Sequence, residues 1–150
     1  MFVGRLAHLV RRWWGSLSTR PPSTEDSVWV AAHLNEGERG IFERLSVADR
    51  RHAVLVARRF VDLCPVASRD HVAAALLHDV GKTRSALSTC ERVLATLVGP
   101  RTRRFREYHD HERIGWDMCR EAGSSPATLD LLAGRADPAV VDALRRADNI

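Results

Sequence analysis

Lysine, cysteine and aromatic residues are scarce in this sequence, and each scarcity narrows the class of protein. Lys82 is the only lysine among 23 basic residues, a bias that we attribute to a GC-rich codon pool rather than to function. The three cysteines are far apart and form no CxxC pair, so neither a zinc ribbon nor a disulfide framework is predicted, and reduced thiols are expected. Aromatic residues make up only 6%, and the apolar residues are mostly Ala, Val and Leu, which favours helices over a sheet.

Long apolar runs are also absent. None approaches the roughly 20 residues that span a bilayer, and Arg11 and Arg12 interrupt any signal-peptide core. We therefore expect a cytoplasmic protein. Residues 2–17 have the pattern of a basic amphipathic helix with a Trp13-Trp14 pair. Such a helix can lie peripherally on an anionic membrane surface, dock on a protein partner, pack back on the domain or extend loosely from it.

Positive charge is concentrated at the N-terminus. Residues 1–22 contain four arginines and no acidic residue, and the other basic residues balance the 19 acidic ones. The body of the protein therefore lacks a broad basic surface, and no specific nucleic-acid binding is expected. Residues 18–27 contain two prolines and five hydroxyl residues, which predict a linker. We predict a helix and linker over 1–27 and one helical domain over 28–150.

Caps and breakers predict the boundaries of the other helices. Ser46 can cap a helix that runs to about Leu63, and Ser68 or Asp70 begins one that ends at the His78-Asp79 pair. The other predicted elements are a turn at 35–38, a loop at 83–88, a helix over 89–98, a helix capped by Asp110 that runs to about Glu121, a short helix from Pro126 to about Ala133, and a last helix with Pro138 in its first turn.

Several ionisable residues lie on or beside apolar helix faces. His78 and Asp79 end an apolar run, and burying them without partners would cost several kcal/mol, so they need a partner or a metal. His52 lies on the apolar side of its helix, where a lone histidine is more often a core residue than a ligand. Asp148 lies near the C-terminal end of an apolar face, where the helix dipole disfavours a carboxylate and a cation would offset it.

Two further histidines, His109 and His111, cannot both face this cluster from one helix. Residues two apart are about 200° apart around a helix axis. His111, in the first helical turn, is the better ligand candidate, and His109 is expected at the surface. The candidate set suits a divalent ion such as Mn, Fe, Co, Ni, Zn or Mg, and it consists of His52, His78, Asp79, His111 and Asp148.

Arginines are clustered before this segment. Such a run is usually a solvated face, and its alternative is a phosphate-binding rim, because the guanidinium fork matches phosphate oxygens. The cluster comprises Arg101, Arg103, Arg104 and Arg106.

The string LLHDVGK at residues 76–82, with His52 before it and Asp148 after it, resembles the HD-domain superfamily of metal-dependent phosphohydrolases. The spacings, 26 residues from His52 to His78 and 69 from Asp79 to Asp148, are similar to those of the family. The resemblance covers roughly residues 45–150. It implies an all-α HD-domain helical bundle in which one divalent metal ion is coordinated by His52, His78, Asp79 and Asp148.

The segment that begins at His111 looks like the added histidine segment of HD subfamilies with two-metal sites, namely the HD-GYP cyclic dinucleotide phosphodiesterases and the hydrolases of dinucleoside tetraphosphates. Those subfamilies have a further histidine before the last aspartate, whereas residues 122–147 contain none. The GYP tripeptide is also missing, which argues against cyclic dinucleotides. The site therefore holds one metal, or a residue such as His109 substitutes, or the second metal is held weakly.

The resemblance implies metal-assisted hydrolysis of a nucleotide or related small phosphoester. Asp79 would orient the attacking water, Lys82 would contact a phosphate, and Arg101 and Arg104 would hold the rest of the substrate.

The general acid is not identified by the sequence, and Glu112 and Asp110 are candidates. The alternative is a catalytically inactive HD module that binds a metal or a nucleotide in a regulatory or scaffolding role, recruited to a membrane or a partner by residues 2–17.

Overall fold

The structure is a computed structural model and describes residues 20–85 and 111–149. All regular elements in these ranges are helices, which confirms the predicted all-α class. None of the described helices is both long enough and apolar enough to cross a membrane. The helices predicted over 2–17 and 89–98 lie outside the described residues. The described helices are α1 (Thr24–His33), α2 (Glu36–Phe42), α3 (Val47–Leu63), α4 (Arg69–Leu77), α5 (Lys82–Ser85), α6 (His111–Glu121), α7 (Pro126–Leu132) and α8 (Pro138–Asp148).

Serine caps and prolines fix where several of these helices begin. Ser46, Ser68 and Ser125 each accept a hydrogen bond from the backbone N–H three residues later, at the starts of α3, α4 and α7. The first N–H groups of a helix have no partner within it, so a cap satisfies one of them. Pro126 and Pro138 occupy first-turn positions, where the missing N–H is not needed. The predicted starts of α3, α4, α7 and α8 are therefore confirmed.

The linker predicted over 18–27 is wrong for its last residues, because α1 begins inside it. Ser23 caps α1 by accepting a hydrogen bond from the Asp26 N–H at 3.1 Å. The Asp26 carboxylate also contacts the Arg58 guanidinium of α3 at 3.0 Å, which ties this helix to the domain. The division between an N-terminal segment and the domain stays a prediction, since residues 1–19 lie outside the described part of the chain.

Two predicted irregular segments are also partly helical. The predicted turn at 35–38 is the start of α2, because Asn35 and Glu38 form a capping box. The Asn35 side chain accepts from the Glu38 N–H, the Glu38 carboxylate accepts from the Asn35 N–H, and both distances are 2.8 Å. The predicted loop at 83–88 is likewise helical in its first part, because α5 begins at Lys82, the last residue of the LLHDVGK string.

The centre of the fold is α4. Each residue from Val72 to Leu77 is buried, so this helix is covered on every side. It is contacted by α1, α2, α3 and α7, while α8 packs along α3 and α6 contacts α2, α5 and α7. Because α3 packs against both α4 and α8, the C-terminal end of α4 and the residues after it lie close to α3 and α8, and these elements supply the candidate site.

Candidate metal centre

Three side chains from three different elements meet at the C-terminal end of α4. The Nε2 atoms of His52 on α3 and His78 after α4 each lie 3.2 Å from Oδ1 of Asp148, the last residue of α8. One ligand atom from each residue lies within 4.8 Å of the other two. Asp148 is 96 residues from His52 and 70 from His78, so only tertiary packing can bring them together.

The distances within this triad of His52, His78 and Asp148 suit a shared metal ion. Nitrogen and oxygen ligands lie about 2.0–2.2 Å from such ions, so neighbouring ligand atoms are about 2.8–3.1 Å apart in an octahedral shell and about 3.3–3.6 Å apart in a tetrahedral one, a combined span of about 2.8–3.6 Å. The two 3.2 Å separations fall within this range. Two imidazole nitrogens and one carboxylate oxygen suit Mn, Fe, Co, Ni and Zn better than Mg, which prefers oxygen ligands. The triad therefore fits the predicted divalent ion, and its chemistry favours a transition metal.

The backbone fixes the orientation of the His78 ring. Its Nδ1–H donates a hydrogen bond to the carbonyl oxygen of Ala75, with an N···O distance of 2.7 Å. Because a carbonyl only accepts, Nδ1 carries the hydrogen, and Nε2 is the atom directed at Asp148. Histidines that bind metals commonly use their second nitrogen in this way, since the contact orients the ring and raises its basicity.

The carboxylates control the protonation of His78. Burial alone would lower the pKa of His78, but the charge of Asp79 and then the hydrogen bond and charge of Asp148 outweigh burial and raise this pKa to about 10. Burial alone would raise the pKa of Asp148, but hydrogen bonds from His52 and His78 outweigh it and hold that pKa well below its usual range. Without a metal ion, His78 thus carries a proton on the side of the ring that would otherwise bind the cation.

Asp79 extends the triad but also contacts a buried lysine. Its Oδ2 lies 3.3 Å from Nε2 of His78 and 2.7 Å from Nζ of Lys82. The side chains of Asp79 and Lys82 are only 8% and 7% exposed, so this ion pair is shielded from water. Asp79 is not among the three residues whose ligand atoms converge within 4.8 Å. Its role as a ligand, and the predicted contact of Lys82 with a phosphate, stay predictions.

Other residues that the sequence singles out are beyond the described part of the structure. His111 is the first residue of α6, and its side chain lies outside the described residues. The same holds for the whole of Arg101, Arg104, His109 and Asp110. Their proposed contributions to metal binding, substrate binding or proton transfer therefore stay predictions.

A cavity of about 360 Å³ lies beside the triad. His78, Asp79 and Asp148 line one end, and the cavity continues between α6, α7 and α8. The Asp148 side chain is 41% exposed, so this side of the triad is accessible from solvent. Glu112, one of the two candidate general acids, also lines the cavity.

Nine further residues of the cavity wall were not predicted from the sequence as site residues. The position of Arg145 could have been found, because it lies three residues before Asp148 on one helix and so on the same side. The apolar residues gave no signal, since an apolar residue on an amphipathic helix is expected in the core. The nine are Gly115, Trp116, Leu131, Leu132, Ala133, Gly134, Val141, Leu144 and Arg145.

No protein-family model matches the chain, and neither does any curated protein or solved structure. The resemblance of the LLHDVGK string to HD-domain proteins is therefore a hypothesis that depends on the residues of this chain and on the geometry around them.

Proposed function

We propose that this chain is an HD-domain phosphohydrolase that uses a divalent metal ion to hydrolyse a nucleotide or related small phosphoester. The observation that carries the proposal is the convergence of His52, His78 and Asp148 from three helical elements beside an accessible cavity. The all-α fold and the order of these residues along the chain are what an HD domain requires. The 3.2 Å separations are also hydrogen-bond distances, so the adjoining cavity is the feature that favours a metal site over a cluster that only stabilises the fold.

The triad, with Asp79 beside it, would hold the ion. When bound, a divalent ion supplies Lewis acidity toward a phosphoryl oxygen and lowers the pKa of a coordinated water. His78 would release its Nε2 proton on binding, because its Nδ1–H is held by Ala75. Binding of the metal ion and release of the His78 proton would therefore be coupled.

The cavity wall supplies the groups for proton transfer. Asp79 lines the cavity and contacts Lys82, and its carboxylate would accept a hydrogen bond from the attacking water. Glu112 lines the same cavity and would donate a proton to the leaving oxygen. Of the two candidate general acids, Glu112 is the one whose position is described.

One contact favours the alternative of a catalytically inactive HD module. The buried Lys82 ammonium lies 2.7 Å from the Asp79 carboxylate and neutralises it. An Asp79 held in this way could leave the triad able to bind a metal or a nucleotide without turning over a substrate. Metal binding without hydrolysis of any phosphoester would support this reading.

Phosphate release tests the proposal. The full-length protein would be stripped of metal, reloaded separately with Mn²⁺, Fe²⁺, Co²⁺, Ni²⁺ or Zn²⁺, and supplied with nucleotides and simple phosphomonoesters. We expect release by the wild type and a loss of at least about 100-fold in His52→Gln and His78→Gln. His33→Gln is the matched control, because His33 contacts Trp29 within α1 and is not part of the triad. Activity that survives in the double variant His78→Ala/Asp79→Ala would contradict the proposed mechanism.

A further inference from the structure

Arg145 of α8 lies on the wall of the cavity beside the triad and has no role in the mechanism proposed above. Arg145 and Asp148 are three residues apart on one helix, so their Cβ atoms are about 5–6 Å apart on the same side of it. Both residues line the cavity, together with His78 and Asp79. A group bound to an ion on the triad would therefore lie within reach of the Arg145 side chain.

The Arg145 guanidinium forms no ion pair and no hydrogen bond with any residue in the described part of the chain. Asp148, its neighbour along the helix, uses Oδ1 to contact the two histidines of the triad, at 3.2 Å each. Lys82 is different, because its ammonium lies 2.7 Å from the Asp79 carboxylate and its side chain is buried. The N–H donors of Arg145 therefore stay available to a ligand in the cavity.

Arg146, the next residue, separates a role in ligand binding from a role in helix stability. Both arginines lie in the last turn of α8, where the helix dipole favours a cation, and both are exposed. Of the two, only Arg145 lines the cavity. A contribution to the stability of α8 would be shared by both residues, whereas a contact with a ligand in the cavity would belong to Arg145 alone.

The shape of a guanidinium determines how many oxygens its ligand must offer. Two parallel N–H donors of an arginine match two oxygens of one phosphate. An ion on the triad would polarise a further oxygen of the same group. The two contacts together need three non-bridging oxygens on one phosphorus atom. A terminal phosphoryl group has three such oxygens, whereas the phosphorus atom of a phosphodiester has only two.

We propose that Arg145 binds two oxygens of a terminal phosphoryl group at the triad, and that this contact selects phosphomonoesters over phosphodiesters. The inference rests on the proposed phosphohydrolase function and narrows its substrate class. In the selected reaction the oxygen of water bonds to phosphorus and the bond from phosphorus to the leaving oxygen breaks. That oxygen takes one proton of the water, so the products are inorganic phosphate and an alcohol. Arg145 is a substrate-binding residue in this reaction.

Calorimetric titration of the Mn²⁺-loaded, full-length protein tests this proposal without relying on turnover. The probes are methylphosphonate, which has three non-bridging oxygens and a P–C bond that water does not cleave, and its monomethyl ester, which has two. We expect the wild type to bind methylphosphonate at least about tenfold more tightly than the ester. Arg145→Gln should weaken binding of methylphosphonate about tenfold and binding of the ester less than about threefold, so the preference shrinks. Arg146→Gln is the matched control and should keep the wild-type preference.

Metal content and thermal melting show that each variant is folded and loaded. Arg145→Lys keeps the charge but loses the two parallel donors, so its preference should lie between those of the wild type and Arg145→Gln. Equal binding of the two probes by the wild type, an unchanged preference in Arg145→Gln, or an equal loss in the two glutamine variants would overturn the inference. Loaded wild type that binds neither probe would overturn it as well. Failure of the proposed function is a different result, namely a preference that depends on Arg145 with no release of phosphate from any phosphoester.

Discussion

His78 makes the charge of the centre depend on pH. Its pKa in the folded protein is about 10, above the usual value of 6.5. A histidine with a raised pKa contributes stability that is fully present below its usual pKa and is lost as the pH rises through the raised one. We therefore predict that the melting temperature of the metal-free protein falls between pH 6.5 and 10, and that it falls less in His78→Gln. Circular dichroism melts over this window measure both, and equal declines in the two proteins would contradict the prediction.

Asp79 and Lys82 form a buried ion pair. Replacing Asp79 should lower the free energy of unfolding more than replacing Lys82. Asp79→Ala would remove the carboxylate that lies 2.7 Å from the buried Lys82 ammonium and should destabilise the protein by about 3–5 kcal/mol. Lys82→Met should cost less, because Asp79 keeps His78 at 3.3 Å as a cationic partner and methionine fills a similar volume. Urea unfolding of the two variants and of the double variant measures the difference. A larger cost for Lys82→Met than for Asp79→Ala would show that the lysine is not stabilised mainly by this carboxylate.

At the scale of elements, α2 sets the position of α6, which carries Glu112 and Trp116 on the cavity wall. A Cβ atom added at Gly37 would overlap the carbonyl oxygen of Ala122, just after α6, whereas a Cβ at Gly40 would meet nothing within 4 Å. We predict that Gly37→Ala lowers the free energy of unfolding by about 1–3 kcal/mol through overpacking.

Gly40→Ala is the matched control on the same helix. It should raise the free energy of unfolding by about 0.5–1 kcal/mol, because alanine is the better helix former and no contact opposes it. Chemical denaturation of the two variants checks the pair of predictions. Stabilisation by both substitutions would mean that α2 and α6 do not approach as closely as the structure shows.

Sequence patterns predicted the helices well where a local signal decides the boundary. Ser46, Ser68 and Ser125 begin helices because a side-chain oxygen satisfies an N–H within the same turn, and such contacts involve only neighbouring residues. The start of α1 was missed because two prolines at 21–22 indicated a linker, whereas the Ser23 cap overrode that signal. The start of α2 was missed for a different reason. Its capping residue, Asn35, is also common in turns, so the segment was predicted to be a turn.

At the scale of the whole molecule, residue patterns placed His52, His78 and Asp148 on or beside apolar faces, and only the resemblance to HD-domain proteins predicted that they meet. Their meeting depends on how α8 packs along α3 and how α3 packs against α4, which is a property of tertiary packing. The residues of the cavity wall and the contact made by Lys82 also depend on tertiary packing and could not be predicted from local sequence patterns. The place of Lys82 after His78-Asp79 suggested a phosphate contact, and only the folded structure shows its ammonium on Asp79.

A metal ion held jointly by His52, His78 and Asp148 is the central prediction for this protein, and metal content measured by inductively coupled plasma mass spectrometry tests it directly. We predict about one transition-metal ion per chain in the wild type and in the His33→Gln control, and loss of most of it in His52→Gln, His78→Gln and Asp148→Asn. Thermal melts confirm that each variant is folded. Wild-type protein that takes up no metal, or triad variants that retain as much as the control, would contradict the account.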